Sequence, residues 1–158
     1  MNIVKIIQQE SKKYLKHVAI REAISSFTYE QLFENVKDIS QKLENEEIKK
    51  HARVALLCPE GADYIILVLA ILSLDAVAVP IHLNSSKEEI KRVIDEMKIE
   101  YFIYEETLFH SNGKNESFSI SYKKHSFVIQ HLNGKLADQN EFESLNPAFI
   151  RFSSGTTA

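Results

Sequence analysis

The stretch from Arg53 to His82, "RVALLCPEGADYIILVLAILSLDAVAVPIH", contains two short apolar runs separated by a longer one. The short runs "RVALLC" (residues 53–58) and "AVAVPI" (residues 76–81) do not alternate between polar and apolar side chains, which is typical of strands covered on both faces. The longer run, around Ala62 to Leu74, is the length of a helix and is apolar on most sides. Strand, helix and strand in this order predict a βαβ unit with a right-handed crossover.

Amphipathic segments on either side extend this pattern. One helix is predicted after Thr28, the candidate N-cap, with Gln31 at the position where a capping box has Glu or Gln. Another is predicted after Ser86, with Glu89 in the corresponding position. Further strands are predicted at "YFIY" (residues 101–104) and "SFVIQ" (residues 126–130), and a shorter helix opens the chain. We therefore expect one α/β domain over residues 1–158, with a mostly parallel sheet flanked by helices on both faces.

The segment after the third predicted strand is more polar. Residues 107–125 predict a surface loop or a small hairpin, and Asn133-Gly134 predicts a turn. Residues 140–145, "NEFESL", predict about one helical turn, which ends before Pro147.

Charge and composition exclude several classes of protein. The chain has 19 basic and 22 acidic side chains and a formal net charge of −3, so no basic excess favours a nucleic-acid partner. The longest apolar run, Tyr64 to Leu72, is too short to span a bilayer, and the N-terminus lacks the features of a signal peptide. With 44% hydrophobic residues, the sequence is typical of a globular cytoplasmic protein.

Motifs for metal binding and for nucleophilic catalysis are missing from the sequence. The six histidines form no H-x-x-x-H pair and lie beside no cysteine cluster, so surface or loop positions are expected for them and no metal site is predicted. Cys58, the only cysteine, lies in an apolar run and predicts a buried, inert thiol. The adjacent pairs Glu46-Glu47 and Glu105-Glu106 are expected to be solvated. We predict no catalytic residue in these 158 residues.

The last ten residues, "FIRFSSGTTA" (residues 149–158), carry the strongest functional signal. Ser and Thr hydroxyls supply hydrogen-bond donors, and Gly155 removes the Cβ that would keep a ligand from the backbone. A strand followed by a loop also exposes consecutive N–H groups, which suits a polyphosphate. The candidate phosphate-binding residues are Ser153, Ser154, Gly155, Thr156 and Thr157. The alternative is a polar C-terminal tail with no ligand.

Three motifs together resemble the adenylate-forming (AMP-binding) enzymes, which include acyl- and aryl-CoA synthetases, luciferases and peptide-synthetase adenylation domains. "AFIRFSSGTT" (residues 148–157) resembles their signature phosphate loop, and "FTYEQL" (residues 27–32) resembles their early Leu-Thr-Tyr-x-Glu-Leu motif. "LSLDAVAVPIH" (residues 72–82) resembles their Leu-Lys-Ala-Gly-Ala-x-Tyr-Val-Pro-Leu-Asp motif, although Asp75 replaces Gly and His82 replaces Asp. Two more departures are Ala78 for a common aromatic residue and Ala158 for the closing Gly.

The resemblance implies a carboxylate-activating reaction. Such enzymes join a small-molecule carboxylate to ATP with Mg²⁺, giving an acyl-adenylate and pyrophosphate. The acyl group then passes to the thiol of coenzyme A or of a carrier-protein phosphopantetheine. Residues 153–157 would hold the β- and γ-phosphates.

In the family, the rest of the catalytic machinery follows the phosphate loop. We therefore expect this chain to be the N-terminal fragment of a longer AMP-binding domain, with the catalytic remainder absent. Alone it is expected to be inactive and prone to self-association through uncovered apolar surface. The alternatives are a non-catalytic, doubly wound binding domain and an interaction domain. A receiver-like binding domain needs an acidic cluster at the strand ends, for which Glu60, Asp63 and Asp75 are the nearest candidates.

Overall fold

Five α-helices and seven β-strands are seen in the part of the chain that the computed structural model describes, residues 2–110, 116–120 and 125–151. In chain order they are α1 (Ile3–Ser11), β1 (Val18–Arg21), β2 (Ser26–Thr28), α2 (Tyr29–Asn45), β3 (Arg53–Leu57), α3 (Ala62–Ser73), β4 (Val77–Pro80), α4 (Lys87–Glu96), β5 (Tyr101–Glu105), β6 (Glu116–Ser119), β7 (Ser126–His131) and α5 (Gln139–Leu145). A single 3₁₀ turn, Lys12–Tyr14, follows α1. Within the described ranges, no helix has both the length and the apolarity needed to cross a lipid bilayer.

The main sheet has five strands in the order β4-β3-β5-β7-β6. β3 pairs in parallel with both β4 and β5, so the predicted βαβ unit is present. β7 pairs antiparallel with β5 and with β6, and the sheet is therefore mixed. An antiparallel neighbour needs no crossover helix, and no described helix lies between β5 and β7. The predicted α/β fold is confirmed, with β6 and β7 forming the antiparallel edge.

Helices cover both faces of the sheet. Every residue of β3 is buried, and successive side chains point to opposite faces. Val54 and Leu56 belong to the apolar cluster that contains α2 and α3, whereas Ala55 and Leu57 belong to the cluster that contains α4. This two-sided burial explains why the strand sequence shows no alternation.

Both predicted capping boxes are confirmed. At the start of α2, the Thr28 hydroxyl accepts from the Gln31 N–H (3.3 Å) and the Gln31 side chain accepts from the Thr28 N–H (3.0 Å). At the start of α4, Ser86 and Glu89 make the same reciprocal pair at 3.1 and 2.7 Å. These contacts satisfy N–H groups that have no partner inside the helix, and they fix where each helix begins.

Two features differ from the sequence prediction. The β1–β2 hairpin was not predicted, because strands of four and three residues carry little periodicity. The expected turn at Asn133-Gly134 is also not seen; Gly134 lies in an irregular segment and packs against the backbone that follows α4. A Cβ on Gly134 would lie 2.0 Å from the Lys98 carbonyl oxygen and 2.3 Å from the Ile99 carbonyl oxygen. The glycine is therefore needed for close backbone approach.

We predict that Gly134→Ala lowers the free energy of unfolding by about 3 kcal/mol, because the obstructing atoms belong to the backbone and have little freedom to move. Urea denaturation measures the change. The control is Lys135→Ala at the exposed neighbouring position, which is expected to shift stability by less than about 0.5 kcal/mol. An unchanged midpoint for Gly134→Ala would contradict the close approach.

Candidate functional site

The carboxyl ends of the three parallel strands meet at one edge of the main sheet. β3 leads into the loop at residues 58–61, β4 into residues 81–86 and β5 into residues 106–110. Ligands of open α/β sheets bind in the crevice outside this edge. We refer to it as the carboxyl edge, and to the opposite side, where β3 and β4 begin, as the amino edge.

Residues 148–150 run along the outer side of β4 towards the carboxyl edge. The Ala78 N–H donates to the Ala148 carbonyl and the Ile150 N–H donates to the Ala78 carbonyl, each at 3.0 Å. Phe149 and Ala78 thus form a parallel bridge. The predicted phosphate-binding residues 153–157 lie outside the described residues, but the segment that precedes them is directed to the edge where such a ligand is expected.

Arg151, the last described residue, is exposed at this edge. Burial raises the pKa of the Tyr64 hydroxyl above its usual value, and the positive charge of Arg151 opposes that rise. The nearby Cys58 and Glu60 raise the same pKa further. Arg151, at the end of the lead-in segment (residues 148–151), is therefore within electrostatic reach of the first turn of α3.

The N-terminus of α3 at this edge is capped by a carboxylate from the β1–β2 hairpin. Gly61 precedes the helix with φ 139°, a value that a side chain rarely permits. The Ala62 N–H donates to Glu22 Oε1 at 2.9 Å, and Ser25 Oγ donates to Glu22 Oε2 at 2.8 Å. A carboxylate is favoured here because the helix dipole is positive at its N-terminus.

Asp63, also in the first turn of α3, is buried and paired with a histidine from the antiparallel edge. Its side chain is 4% exposed, and Oδ2 lies 2.8 Å from His125 Nδ1. Among the described residues, its second oxygen, Oδ1, is buried and makes no hydrogen bond. Asp75 precedes β4 and so lies at the amino edge, away from Asp63 and Glu60. The acidic cluster that a receiver-like domain needs is therefore not formed by these three residues.

Several sequence predictions about individual side chains are tested by this geometry. Cys58 is buried, as predicted. His51 lies in the loop before β3, which agrees with the predicted surface or loop position, but its side chain is buried there, with 6% exposed. Glu105 is also buried rather than solvated, and its carboxylate accepts from the Thr107 N–H at 3.2 Å. Within the described ranges, no group of three or more potential metal ligands comes together.

The overall arrangement matches solved structures of known class. The N-terminal subdomain of Klebsiella oxytoca NpsA has a TM-score of 0.66 and 24% identity, covering 71% of this chain and 29% of that chain. NpsA-ThdA from the same organism, an artificially fused adenylation–PCP di-domain, has a TM-score of 0.57 and 26% identity, covering 59% of this chain and 18% of that one. The fold is that of the N-terminal subdomain of adenylate-forming enzymes.

The family follows from the sequence itself, because residues 7–158 match the AMP-binding enzyme family and the chain therefore belongs to it. The polyketide synthase–nonribosomal peptide synthetase ffsA from Aspergillus flavipes is 25% identical over 161 residues, which is 98% of this chain and 4% of that protein. The polyketide synthase–nonribosomal peptide synthetase phmA from Phaeosphaeria nodorum is 22% identical over 156 residues, 98% of this chain and 4% of that protein. The chain thus spans only a small part of the length of these relatives.

The structure accounts for two of the departures from the family motif. Asp75 stands at the usual glycine position with φ 54°, a left-handed conformation that Asp tolerates better than most residues. Its carboxylate also accepts from Asn2 Nδ2 at 2.7 Å. His82 stands at the usual aspartate position, and its Nδ1 accepts from the Asn84 N–H at 3.2 Å. An Asp side chain makes the same contact to the N–H two residues on, so the loop after β4 keeps its hydrogen bond.

We predict that His125→Ala lowers the free energy of unfolding by about 2 kcal/mol, because it leaves the buried Asp63 carboxylate without its hydrogen-bond donor. In an Asp63→Asn background the same substitution is expected to cost clearly less, since a neutral amide is cheaper to leave unpaired. Urea denaturation of the four proteins gives the coupling energy. His131→Ala is the matched control, because its partner Glu46 is more exposed than Asp63 and such pairs contribute less than about 1 kcal/mol. Equal costs in the two backgrounds would rule out the coupling.

Proposed function

We propose that residues 1–158 form the first part of an adenylation unit that activates a small-molecule carboxylate with ATP. Membership of the AMP-binding family supports this class of reaction. The observation that carries the proposal is the pairing of Ala148 and Ile150 with Ala78, which directs residues 148–150 towards the carboxyl edge. The product is an acyl-adenylate, with pyrophosphate as leaving group.

The proposed role of residues 153–157 is to hold the β- and γ-phosphates. Their hydroxyl and N–H groups fit the chemistry of phosphate oxygens, and Gly155 allows close backbone approach. Arg151, two residues earlier, adds positive charge beside the same surface. We propose that Mg²⁺ binds through the phosphate oxygens of ATP, where it neutralises charge on the leaving pyrophosphate.

For the acyl acceptor, the relatives favour a carrier-protein phosphopantetheine thiol over coenzyme A. The two similar proteins are nonribosomal peptide synthetases, and one solved neighbour is an adenylation–PCP di-domain. We also propose that the protein acts in the cytoplasm, where ATP is available. The 158-residue chain by itself is proposed not to complete the reaction, because it covers only 29% of the NpsA N-terminal subdomain chain.

Inorganic pyrophosphate is the probe that tests the phosphate loop directly. We expect NMR titration with pyrophosphate to shift the amides of residues 153–157, and AMP to leave them in place. Thr156→Val removes one hydroxyl at constant shape and is expected to weaken pyrophosphate binding about tenfold, as for loss of a hydrogen bond to a charged group. Ser144→Ala, on the exposed side of α5, is the control.

Absence of any shift at millimolar pyrophosphate would overturn the assignment of the loop. A second assay, with ATP, Mg²⁺ and a panel of carboxylates, measures pyrophosphate release by the same 158 residues. Turnover above a blank would overturn the proposal that this chain is incomplete as a catalyst.

We further propose that the 158-residue chain self-associates through the apolar surface that flanks β4. Phe149, in the segment that covers the outer side of this strand, is 47% exposed, and Leu145, the last residue of α5, is 73% exposed. Exposed apolar side chains at a sheet edge favour association. Sedimentation velocity at increasing concentration is expected to show dimers or larger species, and Leu145→Ser with Phe149→Ser to restore the monomer. Ile24→Ser, at a fully exposed position elsewhere, is the control. A wild-type monomer at every concentration would contradict the proposal.

A further inference from the structure

Helix α5 is held in place almost entirely by polar contacts. None of its seven residues is buried, and Leu145 near its end is largely exposed. A helix of this length is not stable in isolation, and apolar burial is the usual source of its stability in a protein. The position of α5 must therefore be set by other contacts, and these come from two buried basic side chains at the amino edge.

Arg53, the first residue of β3, holds the beginning of α5. Its guanidinium contacts Gln139 Oε1 at 3.4 Å and lies 5.2 Å from the centre of the Phe142 ring. It is itself fixed by the Lys98 carbonyl at 2.9 Å and by the Glu100 carboxylate at 3.0 Å. Because the side chain of Arg53 is 2% exposed, these contacts are made away from water, where they are strongest.

His51, just before β3, holds the end of α5. Its Nε2 donates to Asn146 Oδ1 at 3.1 Å, and its Nδ1 lies 3.6 Å from Glu143 Oε2. The His51 N–H donates to the Asp75 carbonyl at 2.9 Å, so the backbone of His51 is tied to the residue that precedes β4. Asn146 ends the helix in a left-handed conformation, with φ 44°.

Only one residue, Pro147, separates Asn146 from the segment that pairs with β4. Ala148 follows Asn146 by two residues and already accepts a hydrogen bond from the Ala78 N–H. Two residues span at most about 7 Å. A displacement of Asn146 must therefore shift or break the pairing of residues 148–150 with β4.

We propose that His51 and Arg53 are positioning residues for the phosphate loop. By fixing the two ends of α5 at the amino edge, they set the register of residues 148–150 on β4 and hence the position of Arg151, the last described residue before the proposed loop. The register of residues 148–150 depends only on contacts among described residues. The link to phosphate binding rests on the proposed function.

This role differs from a contribution to global stability. Since α5 buries no side chain, releasing its end removes little from the apolar clusters on either face of the sheet. Releasing it is instead expected to free the amides of Ala78 and Ile150, whose hydrogen bonds join β4 to the lead-in segment. A local readout therefore distinguishes positioning from stabilisation.

The test uses two variants that act from opposite sides of the same hydrogen bond. His51→Asn removes the imidazole and keeps a residue that tolerates the φ of 65° at this position, and Asn146→Gly removes the side chain and keeps the left-handed conformation. Glu141→Gln, on the exposed face of α5, is the control. Hydrogen exchange is followed by NMR at Ala78 and Ile150, with Phe102 and Ile103 of the β3–β5 pairing as internal references.

We expect both variants to speed exchange at Ala78 and Ile150 about tenfold, with the reference amides unchanged, as for loss of one anchoring hydrogen bond. Pyrophosphate binding at residues 153–157 is expected to weaken by a similar factor. Unchanged exchange at Ala78 and Ile150, or equal acceleration at the reference amides, would overturn the positioning role. Faster exchange with intact pyrophosphate binding would overturn the link to the loop. If the unsubstituted chain gives no pyrophosphate response, the proposed function fails, while the exchange data still decide the register.

Discussion

The buried guanidinium of Arg53 is the interaction on which the amino edge of the sheet depends. It lies at the start of β3, the middle one of the three parallel strands, and contacts the backbone after α4, the Glu100 side chain before β5 and the first residue of α5. Burial lowers the pKa of Arg53, and the charge of Glu100 opposes this, so the ion pair compensates part of the desolvation. The planar guanidinium offers five N–H donors in a fixed geometry, and Lys does not reproduce this.

The elements that the sequence predicts well are those whose signals are local. The β3–α3–β4 unit follows from apolar runs of the right length, and the starts of α2 and α4 follow from capping residues three positions apart. The β1–β2 hairpin was missed because its strands are short, and the buried polar contacts were missed because they join distant residues. A charged residue such as Arg53 at the start of a strand gives no sign that it is buried, because its partners lie 45 to 86 positions away.

The candidate site also has features with local sequence signals and features that depend on distant residues. The candidate phosphate loop was predicted from its own residue types and from its likeness to a family motif, both of which are local. What the sequence did not show is the contact between His51 and Asn146, because it joins residues 95 positions apart. The burial of Asp63 beside His125 was missed for the same reason. The left-handed φ of Asp75, in contrast, can be anticipated from the sequence, because the family motif has glycine at that position.

The pairing of Phe149 with Ala78 also has a consequence for the order in which the chain acquires its structure. The two residues are separated by about 70 positions, so closing this contact costs about 1 kcal/mol more chain entropy than pairing β3 with β4, whose partners are about 24 positions apart. On the ribosome, β4 is synthesised well before residue 149 and its outer side is uncovered during that interval. The pairing of residues 148–150 with β4 is thus expected to form after the pairing of β3 with β4.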